Sequence, residues 1–226
     1  MSDSREDPAG GWCLVVPVKR LEIAKTRLDA DLGARRTAFA LAFAADTISA
    51  ALRTPGVAEV IVVTDDQTVA QTARQLGAHA VPDRPDAGLN PALRWGARVA
   101  GQRRPGAPIG ALSADLPALR PPELAAVLRF ATSAGPPDRP TVVADAHGRG
   151  TTAYLSAAGA PFDPAFGAQS LNTHLQAGAR AFVEADVPSL RRDVDTIADL
   201  RAALELGVGD HTAALVGGFT ERQIGA

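Results

Sequence analysis

Four short segments with almost no polar relief limit what this chain can fold into. "CLVVPV" (13–18), "EVIVVTDD" (59–66), "HAVPD" (79–83) and "PIGALSADLP" (108–117) are apolar runs that lead into charged residues. Runs of this kind are strands buried on both faces. Helical patterns separate them. "ARRTAFALAFAADTISAALR" (34–53) is stopped by Pro55-Gly56, and "QTVAQTARQLG" closes on Gly77. "PALRWGARVAG" (91–101) has proline at its first position, and "PPELAAVLRFATS" (121–133) follows the fourth strand. Buried strands alternating with helices predict an α/β fold, a mostly parallel sheet with helices on both faces.

The second half is less regular. "PTVVAD" (140–145) and "TTAYLS" (151–156) flank the turn "AHGRG" and can pair as a hairpin, which makes the sheet mixed. The loop "GAPFDPAFG" (159–167) leads into a helix over 170–179, followed by a strand over 180–186, the loop "LRRDVDT" (190–196) and a helix over 197–207. With 226 residues and no convincing linker, one domain over 12–210 is expected, between a tail at 1–11 and a loosely ordered end at 211–226.

Charge and cysteine content exclude several classes. A net charge of −2 does not suit a protein that grips nucleic acid by bulk charge, so any polyanion site is local. The one cysteine, Cys13, lies inside a strand and is expected to be a small core residue. The N-terminal "MSDSREDPAGG" is polar and lacks an apolar signal core, no segment has the apolar length of a membrane span, and the expected location is the cytoplasm.

In open α/β sheets ligands bind at the carboxyl ends of the strands. The first strand delivers Lys19, Arg20, Lys25 and Arg27; the second delivers Thr64, Asp65 and Asp66; Asp86, Gly88 and Asn90 follow the third. The fourth delivers Ser113 and Asp115, and the 190s loop adds Arg191, Arg192, Asp193 and Asp195. Cations at one edge of this set and carboxylates at the other, facing one cleft, suit a polyphosphate held by Lys and Arg on one side and by Mg²⁺ on Asp on the other. Asp66 is better explained as the cap of the following helix. Asp115 at the end of a buried strand, with Asp193 and Asp195 projecting alike from an extended "DVD", makes a candidate divalent-metal site. The chain has no P-loop signature, no dinucleotide fingerprint and no serine with an evident histidine partner; its four histidines show no metal spacing and are expected at the surface or in loops.

The blocks "PVKRLEIAKTRL", "VVTDD", "AGLNPAL", "SADLPAL", "GRGTT", "FDPAFGAQS" and "LRRDVDTIADL" occur in that order between residue 14 and about 209. Together they resemble the guanylyltransferases of coenzyme F-420 biosynthesis, which act on 2-phospholactate or phosphoenolpyruvate. Ser113 departs from the pattern, which would have Gln before "ADLP".

The resemblance implies a three-layer, glycosyltransferase-A-like nucleotidyltransferase fold, with GTP over the first half of the sheet. Lys19, Lys25 and Arg27 would hold the triphosphate, with Lys19, Lys25 and Asp115 as catalytic groups, and Gly88 and Asn90 would approach the guanosine. Asp115, Asp193 and Asp195 would bind one or two Mg²⁺, and Thr152, Gly167 and Ser170 the phosphorylated three-carbon acid. A helix start after Gly167 agrees with an anion site. Phosphoenolpyruvate is favoured over 2-phospho-L-lactate because the GC-rich composition and the tail "LGVGDHT" look actinobacterial. The rivals are a nucleotide-sugar or molybdopterin-type transferase of the same fold and a GTP-binding module without turnover. No nucleic acid or membrane partner is expected, and the oligomer considered is a homodimer.

Overall fold

A computed structural model describes residues 11–23, 32–84, 86–133 and 139–217. The strands are β1 (Trp12–Pro17), β2 (Val57–Val63), β3 (His79–Val81), β4 (Ile109–Leu112), β5 (Thr141–Ala144), β6 (Thr151–Ser156) and β7 (Arg180–Ala181). The helices are α1 (Arg36–Leu52), α2 (Gln67–Leu76), α3 (Leu89–Arg103), α4 (Pro121–Ser133), α5 (Ser170–Gln176), α6 (Pro188–Arg191), α7 (Ile197–Leu206) and α8 (Asp210–Val216). Among the described residues no helix is long and apolar enough to cross a membrane.

The strands form one seven-stranded sheet in the order β3-β2-β1-β4-β6-β5-β7. β6 pairs antiparallel with both β4 and β5, while the other pairings are parallel, so the mixed three-layer fold is as expected. Alternation along β1 explains the layers. Leu14 and Val16 face a core shared with Ile48 of α1, Val69 of α2 and Leu124 of α4, while Cys13 and Val15 face Leu93 and Ala100 of α3. Cys13 is fully buried, and burial pushes its thiol pKa up, which suits a core residue.

β1 lies between β2 and β4, so the chain turns opposite ways from it on the two sides. Such a switch point opens a crevice at the carboxyl ends of β1 and β4, where Lys19 and Asp115 emerge.

Several boundaries differ from expectation. α3 begins at Leu89, with Pro91 third in the helix; first-turn N–H groups have no intrahelical acceptor, so proline is tolerated there. β7 is two residues long and pairs only with β5 at the edge, whereas a strand over 180–186 is expected from the sequence. The 190s loop opens with the helical turn α6.

The end of the domain is corrected most clearly. Residues 211–216 belong to α8, which packs against α1 instead of being loosely ordered. The N-cap Gly209 has no side chain to cap α8, but Asp46 in the middle of α1 accepts from the N–H groups of His211 (3.0 Å) and Thr212 (2.8 Å). Residues 1–10 and 218–226 lie outside the described residues.

Candidate active site

After Pro17 the chain crosses the end of β2, because Val18 N–H donates to Val63 O at 2.9 Å. This carries Lys19 and Arg20 over the carboxyl edge of the sheet. Asp66 caps α2 through Thr68 and Val69 N–H, as expected, and its other oxygen accepts from Leu21 N–H at 3.0 Å. Arg36 braces the same turn from α1, donating to the carbonyls of Leu21 (3.2 Å) and Glu22 (2.9 Å). Lys25 and Arg27 lie outside the described residues.

A cleft of about 290 Å³ opens at the ends of β1, β2 and β3. Pro17, Val18, Val63, Leu89 and Ala92 give it apolar walls; Lys19, Arg20, Asp65, Asp83, Asp86 and Gly88 are its polar and backbone lining. Arg20 lies 3.7 Å from Asp65 and 3.9 Å from Asp86, exposed pairs of the sort that contribute little to stability. Asp65 accepts from Asp83 N–H at 3.0 Å, and Asp83 from Asp86 N–H at 3.3 Å. Burial pushes the Asp83 carboxyl up, and its neighbours Asp65 and Asp86 add to this against the bond from Asp86 N–H. Carboxylates therefore share this part of the cleft with the cations instead of facing them across it.

Gly88 is the N-cap of α3 at φ 101°, ψ −178°, a backbone state that L side chains rarely adopt. It lines the cleft. The Asn90 side chain does not fit its expected role next to guanosine. Its Nδ2 donates to Phe166 O at 2.9 Å and its Oδ1 accepts from Phe166 N–H at 2.8 Å.

Asp115 lies three residues beyond β4. The Thr47 hydroxyl of α1 accepts from Leu116 N–H at 3.0 Å and lies 3.2 Å from Ala114 O, fixing the backbone on both sides of the aspartate. Val194 N–H donates to Asp115 O at 3.0 Å and the Val194 side chain is buried, so the "DVD" backbone is brought to Asp115. The three carboxylates are not gathered, however. Among the described residues no group of three or more His, Cys, Asp or Glu side chains is placed to hold a metal ion. Hydrogen bonds join these segments through the backbone, which does not by itself make the carboxylates converge. The donor chemistry still fits a hard cation, since Mg²⁺ commonly takes one or two carboxylates and completes its shell with phosphate oxygens and water.

Asp199 holds that loop, and its role is absent from the sequence reading, although "TIAD" is a capping-box pattern. Its Oδ2 accepts from Thr196 Oγ1 (2.7 Å), Thr196 N–H (2.9 Å) and Asp195 N–H (3.3 Å). Its Oδ1 faces His147 Nε2 at 3.2 Å and Arg192 Nη1 at 3.7 Å. Burial alone would raise its pKa, but the bonds from Thr196, His147 and Asp195 outweigh it and hold the carboxyl below its ordinary range.

The proposed acceptor residues come from β6 and α5. Thr152 is the extra residue of a bulge, since Val143 pairs with Ala153 and Ala144 with Thr151. Its N-terminal position in antiparallel β6 puts it beside Ser113, whose N–H donates to Thr152 O at 2.8 Å. The Thr152 hydroxyl is buried and has no hydrogen-bond partner among the described residues. Ser170 is corrected. Its N–H donates to Gly167 O at 3.1 Å and Leu171 N–H to Arg149 O at 3.1 Å, so the start of α5 is bonded internally instead of presenting these groups to an anion.

His174 is buried, against the expectation for the histidines. Ala165 N–H can only donate, and it points at Nε2 from 2.8 Å; the ring proton therefore sits on Nδ1, 3.0 Å from Thr151 Oγ1. Burial lowers the His174 pKa below 6.5. The unfolded chain then binds the extra proton first, so this contribution to stability is complete above about pH 6.5 and declines as pH falls below it. Urea midpoints measured from neutral to mildly acidic pH should fall, and a His174→Gln variant should lack that component. Equal pH-dependence in both proteins would remove His174 as its source.

The guanylyl transferase CofC-like family model matches residues 12–216. The chain belongs to that family. It is 56% identical over 204 residues to a phosphoenolpyruvate guanylyltransferase of Thermomonospora curvata, covering 90% of this chain and 88% of that one. A phosphoenolpyruvate guanylyltransferase of Streptosporangium roseum is 49% identical over 215 residues, covering 93% and 95%. Among solved structures, a Desulfovibrio desulfuricans G20 protein assigned as a nucleotide-diphospho-sugar transferase superposes with a TM-score of 0.72 at 14% identity, over 95% of this chain and 97% of that one. That likeness shows the nucleotidyltransferase fold. For this family member, the crevice at β1 and β4 is the candidate active site.

Proposed function

We propose that this protein transfers GMP from GTP to phosphoenolpyruvate, giving enolpyruvoyl-diphospho-guanosine and pyrophosphate, a step in coenzyme F-420 biosynthesis. The family match over residues 12–216 carries this reading, and the reversal of the sheet's connections at β1 supports it, since open α/β sheets bind ligands at such points. The purine and ribose would occupy the cleft by Gly88, whose apolar walls suit a ring and whose carboxylates can accept from N–H and hydroxyl groups. Lys19, with Lys25 and Arg27, would neutralise the triphosphate.

The acceptor would lie toward β6, near Thr152, whose buried hydroxyl has no partner among the described residues and could donate to the acid. Gly167 would complete its surroundings. A phosphate oxygen of the acid attacks the α-phosphorus of GTP. A bond forms between them, the bond from that phosphorus to the bridging oxygen breaks, and pyrophosphate leaves with the electron pair. The nucleophile is already ionised at neutral pH, so the chain needs no general base; positioning and charge neutralisation suffice. Asp115 would supply a carboxylate to Mg²⁺, which would add positive charge at the phosphates. The cytoplasm, where a free thiol stays reduced, is the compartment proposed.

Pyrophosphate release from GTP, measured with phosphoenolpyruvate, with 2-phospho-L-lactate and with neither, tests the proposal. Release is expected with phosphoenolpyruvate and none without an acid. Preference for 2-phospho-L-lactate would change the acceptor, and binding of GTP without release under any condition would make the protein a nucleotide-binding module.

A further inference from the structure

α3 carries more than the wall of the cleft. The two bonds between the Asn90 amide and Phe166 join residues 76 positions apart and match a side-chain amide to a peptide unit, donor to acceptor and acceptor to donor. One turn on, Arg94 Nε and Nη2 reach Asp163 Oδ1 at 2.9 and 2.8 Å. From α5, His174 accepts from Ala165 N–H. The segment 163–166 is thus gripped from two helices, immediately before Gly167. The helix gripping it through Asn90 has Gly88 as its N-cap, and Gly88, Leu89 and Ala92 line the cleft proposed for the nucleotide. One rigid element therefore touches both the cleft and the loop leading to the acceptor residues.

We infer that Asn90 is a positioning residue for the acceptor: it registers the 163–167 loop against α3, so that acid and nucleotide are held in a fixed relation. The inference rests on the acceptor site proposed above, and it moves Asn90 from contact with guanosine to control of the acid. Only an amide of this length makes both bonds. Aspartate keeps the shape and the bond from Phe166 N–H, but sets a carboxylate oxygen against Phe166 O.

Asn90→Asp and Asn90→Ala test it by steady-state kinetics and by backbone hydrogen exchange. Losing the matched pair should raise KM for phosphoenolpyruvate about tenfold, while KM for GTP changes less than about twofold. Exchange at 163–167 should quicken in both variants, a readout that does not depend on turnover. A rise in KM for GTP with the acid unaffected would overturn the inference, as would unchanged exchange at 163–167 in both variants. If exchange quickens but the wild-type protein shows no dependence on phosphoenolpyruvate, the latch stands and the acceptor assignment falls.

Discussion

Asp115→Ala should lose at least ~10²–10³ in turnover, the scale for deleting one preorganised electrostatic contact to a reacting group. Loss of a bound metal would deepen the deficit. The expectation rests on where the aspartate stands: just beyond β4, next to β1, at the point where the sheet's connections reverse. Two contacts that fix its backbone do not use its carboxylate. Thr47 holds Leu116 N–H, and Val194 N–H bonds to Asp115 O. The variant should still melt cooperatively while releasing almost no pyrophosphate. A folded variant with full activity would take Asp115 out of the chemistry.

Asp199→Ala should destabilise the protein by about 1.5–3 kcal/mol, the range for hydrogen bonds to a charged group. It removes the acceptor for Thr196 and for Asp195 N–H from a site that is 6% exposed. The urea midpoint should fall at constant m-value. The "DVD" backbone should loosen, which faster backbone hydrogen exchange at 194–196 would report. The sign with pH is the reverse of ordinary buried acids. Because the folded carboxyl is held below 3.8, its contribution is present above that value and is lost as pH falls through the folded pKa. An unchanged midpoint at neutral pH would show that other contacts hold the loop.

Much of the fold was legible because its signals are local. β1 and the buried half of β2 (60–63) are apolar, Asp66 stands directly before α2, and Gly77 adopts the left-handed conformation that ends it. The hairpin of β5 and β6 was visible from two short runs about a glycine-containing turn. Asn90 was placed near a ligand because its motif follows a strand; nothing in the sequence links it to Phe166 across the fold. His174 lacks metal spacing, but its burial depends on the 160s loop folding back over α5.

By itself, the sequence determined the alternation of strands and helices, the carboxyl-edge origin of Lys19 and Asp115, and the ordered motifs of a guanylyl transferase family. These depend on side-chain periodicity and on residues that act where they stand. Tertiary structure alone decided which distant groups meet. It placed Asp46 at the start of α8, Val194 against Asp115, and Asn90 on Phe166. Each such meeting satisfies a backbone N–H whose partner lies at least 76 residues away. Burial makes that pairing obligatory, but periodicity carries no record of which residue supplies it.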